Sequence, residues 1–209
     1  MTTNNNAAFS TLEEVMSMGQ PAGESTVMTA AKSSEAATVS AQKVWTDGTY
    51  TVDKDLPSGL YRVTLTTGDK AMGIAYIERS NDTATSFQDI IANSLFHGDA
   101  YVQILPSDTA VKVHGCSLTK VDLTALVPDL RSEFDDGIHL VGYDIAPGIY
   151  SVTLTDNVVN MGYVVRLAGL TMSFREPLAY EIYKGPGYVE ILPEDFAVQI
   201  GGARLVQVE

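Results

Sequence analysis

The sequence predicts an all-β fold: two tandem small antiparallel β-sandwich modules, preceded by an extended N-terminal arm with a short helix. Residues 47–121 and 136–208 are two copies of one pattern. Within each copy apolar and polar residues alternate with period two, as in strands that bury one face. Glycine, proline and aspartate divide each copy into five or six short strands, which is typical of a small sandwich.

The two copies match in their turns and strands. The run Gly59–Thr66 corresponds to Gly148–Thr155, and YVQILP at 101–106 corresponds to YVEILP at 188–193. The register shifts by two residues between these runs. Because the shared residues are those of turns and cores, the duplication predicts surface and stability rather than chemistry. Further matched pairs are Asp47 with Asp136, Tyr76 with Tyr163, Arg79 with Arg166, Phe87 with Phe174, and Gly98 with Gly185.

The chain divides into four predicted parts. Each copy has about 75 residues, a size at which an isolated domain is only marginally stable. We therefore expect the modules to pair with each other or with other chains. The predicted parts are the extended N-terminal arm (1–44), the first β-sandwich module (45–121), a linker (122–135) and the second β-sandwich module (136–209).

The arm differs from the rest of the chain in composition. It is rich in Thr, Ser, Ala and Asn, and Ser10–Glu13 has the spacing of a capping box that would open a helix from about Thr11 to Met18. Such a segment cannot build a core, so we expect it to become ordered on another surface. The predicted partner-binding residues of the arm are Phe9, Leu12, Val15, Met16 and Met18.

Elements within each copy follow the same order. The proline and glycine of Leu56–Gly59 and Ile145–Gly148 predict turns before the first long strands. The segment Phe87–Phe96 has apolar residues whose spacing fits a helical turn about as well as a strand. Final strands are predicted at 117–121 and 204–208. In the linker, Pro128 limits any helix.

Charge narrows the classes of partner. The chain carries a net charge of −13, divided as −2 for residues 1–44, −3 for 45–121 and −8 for 122–209. This balance argues against nucleic acid and against anionic membrane surfaces as partners. It favours solubility at high local concentration, with an acidic face for a basic partner as the alternative. No apolar run is long enough to span a bilayer.

The start of the chain and its cysteine content suggest a compartment. Residues 1–6 read MTTNNN, without a basic region, an apolar region or a lipidation cysteine. We therefore expect a protein with no signal peptide that is assembled in a cytoplasm. Cys116 is the only cysteine, so no internal disulfide is expected.

A resemblance to a known family follows from these motifs. The runs DGTY at 47–50, YIER at 76–79, DIIAN at 89–93 and GCSLTKV at 115–121 resemble the tandem β-rich repeats of secreted lipoproteins and phage virion proteins of actinobacteria. The resemblance covers both modules and leaves the arm unexplained. It implies a first cysteine where this chain has Ala75, paired with a later one at the position of Cys116. The second copy has Ala203 there, and loss of the pair favours the virion branch of the resemblance.

Candidate sites are weighed against simpler structural roles. The histidines His97, His114 and His139 lack metal-ligand spacing, and a buried structural thiol is favoured for Cys116 over a nucleophile. The acidic group of Glu133, Asp135 and Asp136 lacks EF-hand spacing, so a turn is favoured over a calcium site. No catalytic, cofactor or metal residues are predicted. Aromatic residues that could line a sugar site, or else pack in strands, are Trp45, Tyr50, Tyr76, Tyr101, Tyr163, Tyr180, Tyr183 and Tyr188.

These patterns together predict a non-enzymatic virion structural protein. The most concrete form is a phage capsid decoration or minor capsid protein, anchored by its arm to the major capsid or other virion proteins and forming a homo-oligomer. The alternative is a β-module that binds a host surface or a glycan, as in a tail or a cell-surface adhesion protein. An enzyme ranks third, because no pair of carboxylates is singled out for hydrolysis.

Overall fold

The protein is described from a computed structural model that covers residues 42–66, 74–84, 86–155 and 160–208. The described residues belong to one compact unit. They form sixteen β-strands and one 3-10 turn at Phe87–Asp89, so the all-β prediction is confirmed. The predicted helix at Thr11–Met18 lies outside the described residues.

Each module contributes eight strands in the same order. Module 1 comprises β1 Val44–Trp45, β2 Gly48–Thr51, β3 Gly59–Leu65, β4 Ala75–Ser80, β5 Ile90–Phe96, β6 Ala100–Ile104, β7 Ala110–His114 and β8 Cys116–Val121. Module 2 comprises β9 Glu133–Phe134, β10 Gly137–Leu140, β11 Gly148–Leu154, β12 Gly162–Leu167, β13 Pro177–Tyr183, β14 Gly187–Ile191, β15 Ala197–Gly201 and β16 Ala203–Gln207.

The strands assemble into two four-stranded antiparallel sheets per module. Module 1 has the orders β1-β8-β3-β6 and β2-β7-β4-β5, and module 2 has β9-β16-β11-β14 and β10-β15-β12-β13. The second pair of orders equals the first with eight added to each number, so the duplication extends to strand pairing. The first strand β1 spans the predicted boundary between arm and module 1, and β9 lies inside the predicted linker; they pair with β8 and β16.

The segment with two interpretations becomes a strand. After the 3-10 turn, β5 pairs along its whole length with β4. One face of β5 is turned outward, which leaves Ile91 and Leu95 exposed. The apolar spacing also fitted a helix because this segment contains a short 3-10 turn followed by a strand with apolar residues on both of its faces.

The interiors of the two sandwiches are built from matched residues. Trp45 packs edge-on against Tyr61 at 5.5 Å between ring centroids, and Phe134 packs in the same way against Tyr150 at 6.0 Å. Both tyrosine hydroxyls donate to a backbone carbonyl four residues earlier in the chain, so their buried polar ends are satisfied.

The two modules pack against each other through sheet faces. Leu60 and Tyr101, on the outer face of β3 and β6, belong to one buried hydrophobic cluster with residues from the outer face of the module 2 sheet β10-β15-β12-β13. The backbone N–H of Ile138 donates to Asp99 O at 3.0 Å across this interface. The module 2 members of the cluster are Ile138, Leu140, Val165, Leu167, Leu170 and Ala197.

Candidate functional site

One loop of module 2 shapes the candidate site. Residues 168–176, which connect β12 to β13, are called the docking loop here. It is closed by a hydrogen bond from Ala168 N to Glu176 O at 2.8 Å. The Glu176 carboxylate accepts hydrogen bonds from the Thr171 N–H and hydroxyl, at 2.8 and 2.7 Å, and from Ser173 N at 3.2 Å. These bonds satisfy the loop backbone internally and hold its shape.

The docking loop contacts one strand in each sheet of module 1. Leu170 is buried in the shared cluster, and its carbonyl accepts from Gln103 N at 2.8 Å on the edge strand β6. The carbonyl of Thr171 accepts from the guanidinium of Arg79. Arg79 is itself buried and held by two 2.7 Å hydrogen bonds from its Nε and Nη2 to the Asp108 carboxylate. The loop thus completes a charged pair that would otherwise lack one acceptor.

A groove remains between the modules beside the docking loop. It is a cavity of about 210 Å³ between β5 of module 1 and the outer face of the module 2 sheet. Its lining combines amides, hydroxyls and aromatic rings and includes neither lysine nor arginine. Both oxygens of its one carboxylate, Glu176, already accept bonds from the loop. The lining includes Asn93, Ser94, Phe96, Phe174, Glu176 and Gln199.

A pair of tyrosines continues the same sheet face beyond the groove. The rings of Tyr163 on β12 and Tyr180 on β13 are stacked, with centroids 5.9 Å apart and planes 11° apart. Tyr180 is 59% exposed, and its neighbours Leu178 and Ile182 on β13 are exposed as well. Tyr163, whose ring is stacked against that of Tyr180, is half-buried, and this burial raises its pKa. We call Tyr163 and Tyr180 the tyrosine platform.

The structure separates the aromatic residues that the sequence grouped together. Most pack inside the modules or at their interface, as the simpler interpretation predicted. Tyr180 and Tyr188 are exposed, and they lie on opposite faces of module 2, in different sheets. Buried members are Trp45 and Tyr101, and half-buried members are Tyr50, Tyr76, Tyr163 and Tyr183.

The histidines and the cysteine occupy unrelated environments. His97 is exposed, His114 lies 3.2 Å from Asp47, and His139 is buried in module 2. Burial raises the pKa of the Cys116 thiol to about 12, which keeps it protonated and unreactive. Within the described residues no group of His, Cys, Asp and Glu could hold a metal ion.

The acidic group is engaged in structural contacts. Asp135 accepts two hydrogen bonds from Arg204, at 2.7 and 3.1 Å. Asp136 accepts from Ala203 N at 3.3 Å, as Asp47 accepts from Gly115 N at 2.9 Å in module 1. The turn role predicted for Asp136 therefore recurs in both copies.

Sequence reasoning missed the docking loop. The predicted partner-binding residues Phe9, Leu12, Val15, Met16 and Met18 lie outside the described residues, so the structure does not bear on them. A usable signal was present in the comparison of the repeats. Residues 168–173 read AGLTMS where module 1 has the polar NDTATS at 81–86. An apolar loop in only one of two copies indicates a contact that only that copy makes.

The fold and site define a tandem β-sandwich protein whose two modules form one body. The chain belongs to the family of the Rv1352-like extracellular domain, whose model matches residues 42–118 and 132–202. The two matched segments correspond to the two modules. No curated protein and no solved structure matches the chain.

Membership of this family overturns one prediction and supports only part of another. Assembly in a host cytoplasm as part of a virion was predicted, and this localisation is wrong because the family is one of extracellular domains. The resemblance to repeats of secreted proteins is supported, whereas its phage branch receives no support. Among the described residues, no helix has the length and apolar character needed to cross a bilayer.

Proposed function

We propose that the protein is a non-enzymatic extracellular binding module that recognises neutral glycans at a cell surface. The observation that carries the proposal is the tyrosine platform beside the inter-module groove. An exposed aromatic ring offers a flat apolar surface for the C–H face of a sugar ring. Membership of an extracellular domain family favours this adhesion function over the capsid role, which no comparison supports.

The chemistry of the groove selects the class of ligand. Sugar hydroxyls both donate and accept hydrogen bonds, and the amides of Asn93 and Gln199 do the same. A lining without lysine or arginine, in a chain of net charge −13, disfavours anionic sugars. A small concave site with few polar groups and aromatic walls is the usual form of a ligand site.

The same residues argue for binding without hydrolysis. Glycoside hydrolysis uses two carboxyl groups on opposite sides of the bond that is cleaved. Glu176 is the one carboxylate among the lining residues, and its oxygens are occupied by the backbone of the docking loop. Binding is thus the activity that these groups can support.

Binding of the full chain to an array of neutral surface polysaccharides tests the proposal. We expect saturable binding that weakens about tenfold in Tyr180→Ala and in Phe174→Ala, the change expected for losing one aromatic contact. Phe87→Ala is the matched control. Phe87 occupies the same repeat position as Phe174 and is also almost fully exposed, but it does not line the groove. Absence of saturable binding to every polysaccharide, or an equal loss in the control, would overturn the proposal.

A further inference from the structure

A glycine makes room for the tyrosine platform. The register of the sheet places Gly201 of β15 opposite Tyr163 of β12. A Cβ built on Gly201 would lie 2.3 Å from Cζ of Tyr163 and 2.5 Å from its hydroxyl oxygen. Glycine inside a strand often marks such a close approach, and any larger residue here would displace the ring from its place against β15.

Module 1 has the matching tyrosine without the glycine. Tyr76 corresponds to Tyr163, and the residue opposite it on β7 is His114. The hydroxyl of Tyr76 donates to the Glu78 carboxylate at 2.6 Å, on its own strand β4. Asn93 stands where module 2 has the second tyrosine of the platform. Module 1 therefore offers neither the space for the first ring nor a second ring to stack on it.

The platform and the groove are neighbouring parts of one surface. In the register of the sheet, Val165 of β12 pairs with Tyr180 of β13 on one side and with Gln199, a groove residue on β15, on the other. The two platform rings are nearly parallel, and their centroid distance of 5.9 Å shows that they are offset sideways rather than superposed. The surface is therefore longer than one ring, and a ligand that follows it needs more than one sugar unit.

We infer that the glycan is an extended neutral chain, and that Gly201 is the positioning residue that creates its site on module 2. This inference rests on the glycan-binding function proposed above. Successive units of an extended chain can present their C–H faces to successive rings, whereas a helical chain turns neighbouring units in different directions. Gly201 acts through Tyr163, because admitting this ring gives Tyr180 its stacking partner and adds a second aromatic surface.

Titration calorimetry of the full chain with cellohexaose and maltohexaose tests the class of ligand. Both probes are neutral glucose hexamers, and they differ in the linkage that makes the first extended and the second helical. We expect saturable binding of cellohexaose at a single site per chain, and binding of maltohexaose that is about tenfold weaker or more. Equal binding of the two probes, or no saturable binding of cellohexaose, would overturn the extended-chain class. If a polysaccharide of the array still binds in that case, the glycan function itself stands.

A double-mutant cycle tests whether Gly201 acts through Tyr163. Gly201→Ala is expected to weaken cellohexaose binding about fivefold, because the methyl group displaces an aromatic contact. In a Tyr163→Ala background the same substitution is expected to change the affinity by less than about twofold, since the ring that it would displace is absent. Gly185→Ala is the control, because the space around its Cβ is open, and it is expected to bind like wild type.

Two results of the cycle would refute the positioning role. One is unchanged binding in Gly201→Ala, and the other is an equal loss in both backgrounds, which would mean that the glycine acts on the structure without Tyr163. Circular dichroism and thermal melting report whether each variant is folded. If Gly201→Ala is unfolded, the double variant with Tyr163→Ala is expected to fold, because the clash is removed. A double variant that is equally unfolded would also refute the role.

Discussion

At the scale of residues, the two copies use different side chains to make the same contact. The hydroxyl of Tyr50 donates to Thr46 O at 2.8 Å, and Nε2 of His139 lies 3.1 Å from the matching carbonyl, Asp135 O. Burial lowers the pKa of His139, whose neighbours include the Arg131 guanidinium. His139 therefore places a group that titrates in mild acid at a position where module 1 has a tyrosine.

Replacing His139 by tyrosine is expected to reduce the loss of stability in mild acid. The unfolded histidine takes up a proton as the pH falls through about 6.5, whereas the folded one does so only at lower pH. Below about 6.5 the unfolded state therefore binds more protons, and the free energy of unfolding falls as the pH falls. The tyrosine of His139→Tyr keeps the module 1 type of hydrogen bond and does not titrate there.

Urea unfolding at pH values between 7.5 and 5 measures this difference. The wild-type protein is expected to lose more of its free energy of unfolding over that range than His139→Tyr does. Parallel pH profiles for the two proteins would contradict the assignment.

A second residue-scale prediction concerns the lone cysteine. Ala75 and Cys116 are both fully buried in one cluster. At the matching positions of module 2, a Cβ built on Gly162 would lie 2.9 Å from the Cβ of Ala203, so these two positions are neighbours. In an oxidising compartment, Ala75→Cys is expected to form a disulfide with Cys116, closing a loop of about 40 residues and adding up to about 4 kcal/mol to the free energy of unfolding.

Thiol titration and intact mass decide this prediction. Ala75→Cys is expected to show no free thiol in the folded oxidised protein and a melting temperature that falls on reduction. Ala75→Ser is the control for the change in side-chain size. Two titratable thiols after oxidation would rule the pairing out.

At the scale of elements, the turn between β5 and β6 fixes how closely the modules approach. A Cβ at Gly98 would lie 2.0 Å from Asp136 O and 3.3 Å from the Cα of Gly137, both in module 2 backbone. The matching Gly185, between β13 and β14, has nothing within 4 Å of a built Cβ. Glycine is required at position 98 because the module 2 backbone approaches it closely, whereas the space around Gly185 would admit a larger residue.

Alanine at these two positions is expected to have unequal effects. Gly98→Ala is expected to cost about 1–3 kcal/mol, because backbone on both sides must shift to admit the methyl group. Gly185→Ala is the matched control and is expected to stay within about 0.5 kcal/mol of wild type. Chemical denaturation of both variants measures the difference, and equal effects would show that the turn does not set the interface.

At the scale of the whole molecule, the interface makes one body of two modules. The buried cluster of module 1 includes side chains from the outer face of module 2, so neither module can unfold without exposing part of it. Each module alone is of a size that buries too little surface for high stability. The pairing accordingly supplies stability that neither copy has by itself.

We expect the wild-type protein to unfold in a single calorimetric transition. Its calorimetric and van't Hoff enthalpies should agree, as for one cooperative unit. Ile138→Asp places a charge in the interface and is expected to split the transition into two. Thr49→Asp, at the matching exposed position of module 1, is the control and should leave one transition. Two transitions in the wild-type protein would contradict the coupling.

The sequence by itself determined the local architecture. Strand alternation, turns and the duplication depend on residues near one another in the chain, and they predicted the long strands and the turns of both modules. Each module has eight strands where five or six were predicted, and the additional ones include the two-residue strands β1 and β9, which only pairing with β8 and β16 defines. At Phe87–Phe96 the local spacing of apolar residues could not distinguish a helical turn from a strand. Pairing with β4, a contact between separate elements, selected the strand.

Only the tertiary structure decided which surfaces are covered. Leu60 and Ile149 look alike in the repeat, and so do Tyr101 and Tyr188, yet one member of each pair is buried and the other exposed. The difference arises from contacts between residues far apart in the chain, because Tyr101 lies beside Leu167 and Leu170 of module 2, and Leu60 lies beside Leu123 and Leu126 of the linker. Periodicity reports which face of a strand is apolar, whereas the presence of a neighbour over that face is a property of the assembled molecule.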